Sequence, residues 1–214
     1  MFVGHYSAGI ALKAAKPQIP LWVLFVAVQA VDIGWGTLML LGVEKANFVP
    51  GLMKAFPLDL YYMPYTHSLT AGLIWALACA ALYFFWRKRD GVGAAAVIGL
   101  AVLSHWFLDL PMHAPDLPLY GNTLKQGWGL WNYPLAAVAL ELGLLAGSIA
   151  LYGRACPEHQ ARAWKLGGIM ALIQLGNTFG PLPPSALAVA ASALVAYALF
   201  AWGARWVEQK PAAQ

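Results

Sequence analysis

The chain has 214 residues, 61% of them hydrophobic and only 10% charged, with a formal net charge of +4. A soluble globular domain carries about 25% charged residues, so this balance sets a soluble domain aside and favours a membrane protein. The basic residues are scattered over short loops, which sets nucleic-acid binding aside, and two cysteines, Cys79 and Cys156, are too few for a disulfide framework and read as free thiols.

The N-terminal "MFVGHYSAGIALKAAKP" places its lysines after the apolar part, so a cleaved signal peptide is not expected. Its apolar stretch, 5–16, reaches about 18 Å as a helix, too short to cross a bilayer alone. "KPQIP" then reads as a turn. If a helical hairpin forms around it, His5 and Asp32 meet at the same depth. The competing reading lays 1–16 on the membrane surface with its lysines at headgroups.

Six longer apolar stretches follow, near 20–42, 66–86, 91–110, 133–153, 164–180 and 185–207. A crossing helix needs roughly 20 apolar residues. The expected fold is therefore an all-α polytopic membrane bundle of about six transmembrane helices plus a short N-terminal helix. It forms one domain over 1–214. Alternating crossings put Lys13, Lys16, "RKRD" (87–90), Arg154, Arg162, Lys165, Arg205 and Lys210 on one side. The positive-inside rule makes that side cytoplasmic, in a bacterial inner membrane. The loops 42–65 and 111–132 and the segment "PLPPS" then face outward.

Ionisable residues inside spans are costly and are functional candidates by default. Asp32 lies past the middle of the first span, and His67 opens the second in "YTHSL". His105 and Asp109 lie in the outer half of the third, and Glu141 lies near the middle of the fourth. With alternating crossings all five fall in the outer half or at the midplane, and the hairpin adds His5. His105 and Asp109, at i and i+4, share a helix face. An imidazole and a carboxylate one turn apart both reach a single metal ion, zinc first, with manganese or iron as alternatives. Thr66 and Ser68, flanking His67, are candidates to cap the helix or to orient the imidazole. Pro111 ends the helix, so His113 falls on the loop, where it either folds back or sits in water, an interfacial position being the plainer reading. Each residue also has a structural explanation: a His105–Asp109 pair bridging helices, Glu141 bonding a neighbouring helix, Asp32 pairing with a buried tyrosine. As a set they resist that explanation, because each buried charge costs stability.

The segments "GHYSAGIAL", "QAVDIG", "YTHSL" and "LSHWFLDL" occur in that order. The pattern resembles the bacterial membrane-bound metal-dependent hydrolases. In that family an N-terminal His is followed by a Pro-Asp-x-Asp turn, a His-Arg-x-x-Thr-His-Ser motif and a Ser-His-x-x-x-Asp segment. The resemblance covers about 4–110, with 111–214 as additional transmembrane helices. Carried over residue by residue, it implies His5, Asp32, His67, His105 and Asp109 as metal ligands. The family's second aspartate falls on Gly34 and the first histidine of its paired motif on Tyr62. Two ligands are thus absent, and either one metal is held instead of two or Glu141, Tyr62 or His113 substitutes.

The expected function is an inner-membrane hydrolase whose divalent metal ion lowers the pKa of a bound water, with Glu141 or Asp32 as general base. A site in the outer leaflet suggests a lipid or lipid-linked ester or phosphodiester as substrate. Expected partners are membrane lipid, a small or lipid-like substrate and further copies in a homo-oligomer. Two alternatives stand beside it. One is a non-catalytic metal-binding or proton- or metal-coupled transport protein, using Asp32, Glu141 and His105. The other is a b-type haem protein ligated by His67 and His105.

Overall fold

The structure, a computed structural model, describes residues 1–209. Lys210 lies outside the described residues. Eight α-helices, three single-turn 3-10 helices and one two-stranded hairpin make up the regular structure among them. The helices are α1 (Gly4–Ala15), α2 (Leu21–Val28), α3 (Ala30–Leu40), α4 (Leu69–Trp86), α5 (Gly91–Asp109), α6 (Pro134–Ala155), α7 (Gln160–Phe179) and α8 (Ala186–Val207). Strands β1 (Lys45–Phe48) and β2 (Leu58–Tyr62) pair antiparallel in the first long loop. That hairpin is the one departure from an all-α fold.

The helix carrying α4, the helix carrying α5, α6 and α8 are each long and apolar enough to cross a membrane. The stretch 20–42, expected as one span, is broken. Its halves α2 and α3 meet at a bend of 52°, and counting them as one span makes five. Sharp bends have identifiable causes, and there is no proline or glycine here. Instead Nδ1 of His105 approaches the carbonyl of Val28, the last residue of α2, at 2.9 Å. A side chain occupies a backbone acceptor, and the helix restarts at Ala30. The helix α7 is present where a span was expected, but it is less apolar than the four.

Residues 5–16 do not lie on the surface. The helix α1 packs inside the bundle against α6, α2 and α5. Its Lys13 is buried, donates to the carbonyls of Pro17 (2.6 Å) and Ile19 (2.8 Å), and forms an ion pair with Glu208. The hairpin reading therefore holds, and headgroup lysines are not what fix α1.

The helices run alternately, so their ends collect at two poles. At one pole lie Lys13, Lys16, Arg87, Lys88, Arg89, Arg154, Arg162, Lys165 and Arg205, against Asp90, Glu158 and Glu208. The loops of the other pole balance Lys45, Lys54 and Lys125 with Glu44, Asp59 and Asp116. An apolar core of Tyr6, Phe25, Tyr152, Met170 and Phe200 fills the middle and the basic pole. A second core, built on Leu58, Met63, Met112, Leu117 and Trp131, ties the hairpin and the 110–133 loop over the other pole. That loop doubles back along itself: Gly129 N donates to His113 O (2.6 Å), and Trp131 N to Met112 O (3.2 Å). Gly127 permits this, with φ +150° and the carbonyl of Ala114 where a Cβ would sit.

Candidate metal centre

Five of the residues singled out in the sequence meet under that cap. His5 comes from the first turn of α1, and Asp32 from the start of α3. His67 comes from the loop entering α4, and His105 and Asp109 from the last turns of α5. All five are buried, and four are at most 5% exposed. The bend between α2 and α3 turns Asp32 toward α5.

The spacing of their polar atoms is informative. His105 Nε2 lies 3.1 Å from Asp109 Oδ2 and 3.4 Å from Asp32 Oδ1. His67 Nε2 lies 3.2 Å from the same Asp32 oxygen and 3.9 Å from Asp109 Oδ2. His5 Nε2 lies 3.1 Å from Asp109 Oδ1. The Met1 amino group also contacts Asp109 Oδ1. A metal about 2.1 Å from each donor places neighbouring donors about 3.0–3.4 Å apart in octahedral or tetrahedral geometry. Two sets of donors have this compactness, His5–His105–Asp109 and Asp32–His67–His105. They share His105, whose single inward nitrogen serves one ion, so the geometry describes one centre.

The tautomers can be worked out from the surrounding bonds. His105 Nδ1 faces the Val28 carbonyl, which only accepts, so Nδ1 carries the hydrogen. In a neutral ring Nε2 then turns its lone pair toward two carboxylates, and it is buried without a hydrogen-bond partner. An acceptor among acceptors needs a cation between them, either a proton on that nitrogen or a metal ion. His67 gives the same result by a longer route. Thr66 Oγ1 donates its one hydrogen to Glu44 Oε2 (2.6 Å), so it accepts from His67 Nδ1 (2.8 Å). The inward Nε2 of His67 faces Asp32 in the same way, open to a proton or to a metal ion. Imidazoles pinned at one nitrogen and open at the other characterise metal ligands. The residues present therefore fit a divalent ion.

The outer shell contains residues that pattern reading missed. Buried Glu44 accepts from the backbone of Tyr65 (2.8 Å) and Thr66 (3.1 Å) as well as from the Thr66 hydroxyl. Tyr197 of α8 donates to Asp32 Oδ2 at 2.9 Å, the buried tyrosine partner that Asp32 was open to. Of the two hydroxyls beside His67, Thr66 orients the ring, while Ser68 caps α4 by accepting from Ala71 N (3.1 Å).

His113 was expected at the interface, but it is 2% exposed. Its Nδ1 lies 2.8 Å from Asp116 Oδ1 and its Nε2 3.6 Å from Asp109 Oδ2. Burial depresses its pKa most strongly, but Asp109 and Asp116 outweigh that and hold it above the ordinary imidazole value. The paired return of 127–131 along 110–114 draws it in.

Glu141 sits beside the centre. Its Oε2 accepts from the backbone of Phe2 (2.8 Å) and Gly4 (3.0 Å), and its Oε1 accepts from Gln174 Nε2 (3.4 Å). Its carboxylate is thus engaged in holding the start of α1, and through it His5. Gly34 holds no vacant ligand position: a Cβ there would lie 2.9 Å from the Trp75 ring. Tyr62 is half-buried on β2, with its ring 6.4 Å from that of Tyr65. A cavity of about 410 Å³ adjoins the centre, walled by Asp32, His67, Asp109 and His113 on one side and by α7 and α8 on another.

No family model, curated protein or solved structure matches this chain.

Proposed function

We propose that this protein is a metal-dependent hydrolase of the bacterial inner membrane. In this reading six crossings and the buried α1 form one bundle, and the centre faces the outer leaflet. The observation that carries it is the set of inward imidazole nitrogens, on His67 and His105 rings pinned at Nδ1, facing Asp32 and Asp109 at 3.1–3.4 Å. The order of motifs resembling the membrane-bound hydrolases supports the same reading, since the residues it implicates are the ones that meet. Zinc suits three imidazoles with two carboxylates, and manganese or iron are the alternatives. When bound, the ion would supply Lewis-acid polarisation and activation of water for attack on an ester or phosphodiester.

The chain's own residues would divide the remaining work. His5, His67, His105, Asp32 and Asp109 hold the ion. Glu44, Thr66, Tyr197 and the Val28 carbonyl fix their orientation. The cap keeps bulk water out, and the adjoining cavity receives a lipid or lipid-linked substrate. A haem between His67 and His105 is disfavoured, because both inward nitrogens lie beside the same Asp32 oxygen, 3.2 and 3.4 Å away. His5 also stacks on His105 with ring centroids 3.7 Å apart, covering the face a porphyrin edge would need.

The test is elemental analysis of protein purified without chelator. Wild type should carry about one metal ion per chain. His105→Ala and Asp109→Ala should each lose it while remaining monodisperse and helical. A substoichiometric wild type would overturn the proposal.

A further inference from the structure

The cavity beside the centre has an unusual wall. The helices α7 and α8 touch near the basic pole, where Gly203 of α8 lies against Leu166 of α7. Toward the other pole the cavity separates them. Ile173, Gln174 and Gly176 line it from α7, and Ser192, Ala193 and Ala196 from α8. Ile173 lines the cavity and is 41% exposed. Gly176 and Ser192 are likewise exposed, and a Cβ at Gly176 would meet nothing within 4 Å. Between α7 and α8 the cavity is thus bordered by accessible, mostly small residues, on helices of which α8 is apolar enough to cross a membrane.

Inside the gap is an unsatisfied acceptor. Gln174 is 4% exposed; its Nε2 donates to Thr178 Oγ1 (3.2 Å) and Glu141 Oε1 (3.4 Å). Its Oε1 is buried with no hydrogen-bond partner. A buried acceptor left unpaired costs about 1–3 kcal/mol, which a ligand donating a hydrogen bond there recovers.

We propose that α7 and α8 frame a lateral portal through which the apolar chain of a membrane amphiphile enters the cavity, with Gln174 Oε1 accepting from a hydroxyl or amide next to its head group. An apolar slot ending in a polar acceptor and then in ionisable groups matches such a molecule: chain outermost, linkage at Gln174, head at the centre. A small polar solute would leave the slot between Ile173 and Ala196 unfilled. The portal rests on the membrane setting proposed above, but it does not depend on the metal.

The probe is a lysophosphatidylcholine with a doxyl spin label at mid-chain. It has one chain and one free hydroxyl. The full chain, with Cys79→Ser and Cys156→Ser, is placed in phosphatidylcholine nanodiscs with a bimane on Ser192→Cys at the portal. A second preparation carries the bimane on Val195→Cys, which is 60% exposed on α8 and outside the cavity lining. At Ser192 the quenching should saturate with probe and be reversed by unlabelled lysophosphatidylcholine. At Val195 it should rise without saturation and resist competition. Gly176→Trp, which fills the gap without a backbone clash, should weaken the saturable component at least tenfold. The portal is overturned if Ser192 quenches like Val195. It is also overturned if Ser192 is quenched by aqueous iodide and not by the doxyl chain. Metal content of the same samples separates the two proposals: saturable quenching without metal removes the hydrolase and keeps the portal, and the converse removes the portal alone.

Discussion

Glu44 and Thr66 show how a residue remote in sequence can set the chemistry of a ligand. The chain from Glu44 Oε2 through the Thr66 hydroxyl to His67 Nδ1 decides which His67 nitrogen is free. Loss of such an outer partner costs about 10–100-fold in metal affinity. Thr66→Val keeps the shape and removes the hydroxyl, so metal affinity, measured by competition with a chromophoric chelator, should fall by about that factor. Thr66→Ser should restore most of it. Equal affinities in all three proteins would mean the chain does not orient His67. The ligand positions themselves were legible, because a charge in an apolar run stands out and His105 and Asp109 announce a shared face by their spacing. Glu44 was not legible. It lies in a loop where an acidic residue is ordinary, and its partner is 22 positions away. The burial of His113 was the less favoured of its two readings for a related reason: a residue just past a helix-ending proline reads as exposed, and the stretch of chain that folds back over it pairs through backbone groups that carry no sequence signal.

Among the elements, α1 and the α2–α3 break depart most from simple span counting. A 12-residue helix is too short to cross a bilayer, so its place inside the bundle must be fixed by its ends. Glu141 holds the end near the centre. At the other, buried Lys13 pairs with half-buried Glu208, whose Oε2 also accepts from Leu21 N at 2.6 Å. Removing Lys13 leaves Glu208 without its counter-charge, and because water and Leu21 N partly compensate that carboxylate the cost lies below the roughly 3 kcal/mol of a fully buried pair. Lys13→Met should therefore lower the thermal unfolding midpoint in detergent, and Lys13→Met with Glu208→Leu should recover part of the loss. A Lys13→Met protein as stable as wild type would show that the pair does not anchor α1. The hairpin was legible from the "KPQIP" turn, because prolines act locally. The break at Gln29 was not, since it comes from a histidine 77 positions away taking the Val28 carbonyl.

For the whole molecule, the question is whether α7 crosses the membrane, since by apolarity it does not qualify. Its neighbours decide. The helices α6 and α8 are both apolar enough to cross, and both run from the pole of the centre toward the basic pole. If both cross as proposed, the chain between them has to return, and α7 is the one long helix available for it. The polar groups that spoil its apolarity include Gln174 and Thr178, which line the cavity and bond each other, so lipid need not solvate them. In the proposed membrane setting, the excess of Lys and Arg at one pole predicts that this pole faces the cytoplasm. A membrane-impermeant maleimide added to intact spheroplasts should therefore label Thr123→Cys and Leu182→Cys but not Glu158→Cys, each in the Cys79→Ser, Cys156→Ser background. In inverted vesicles the pattern should reverse. If Leu182→Cys labels together with Glu158→Cys, α7 does not cross. The cavity wall it shares with α8 would then border water or a membrane surface instead of the bilayer interior, and the route to the centre would have to be redrawn.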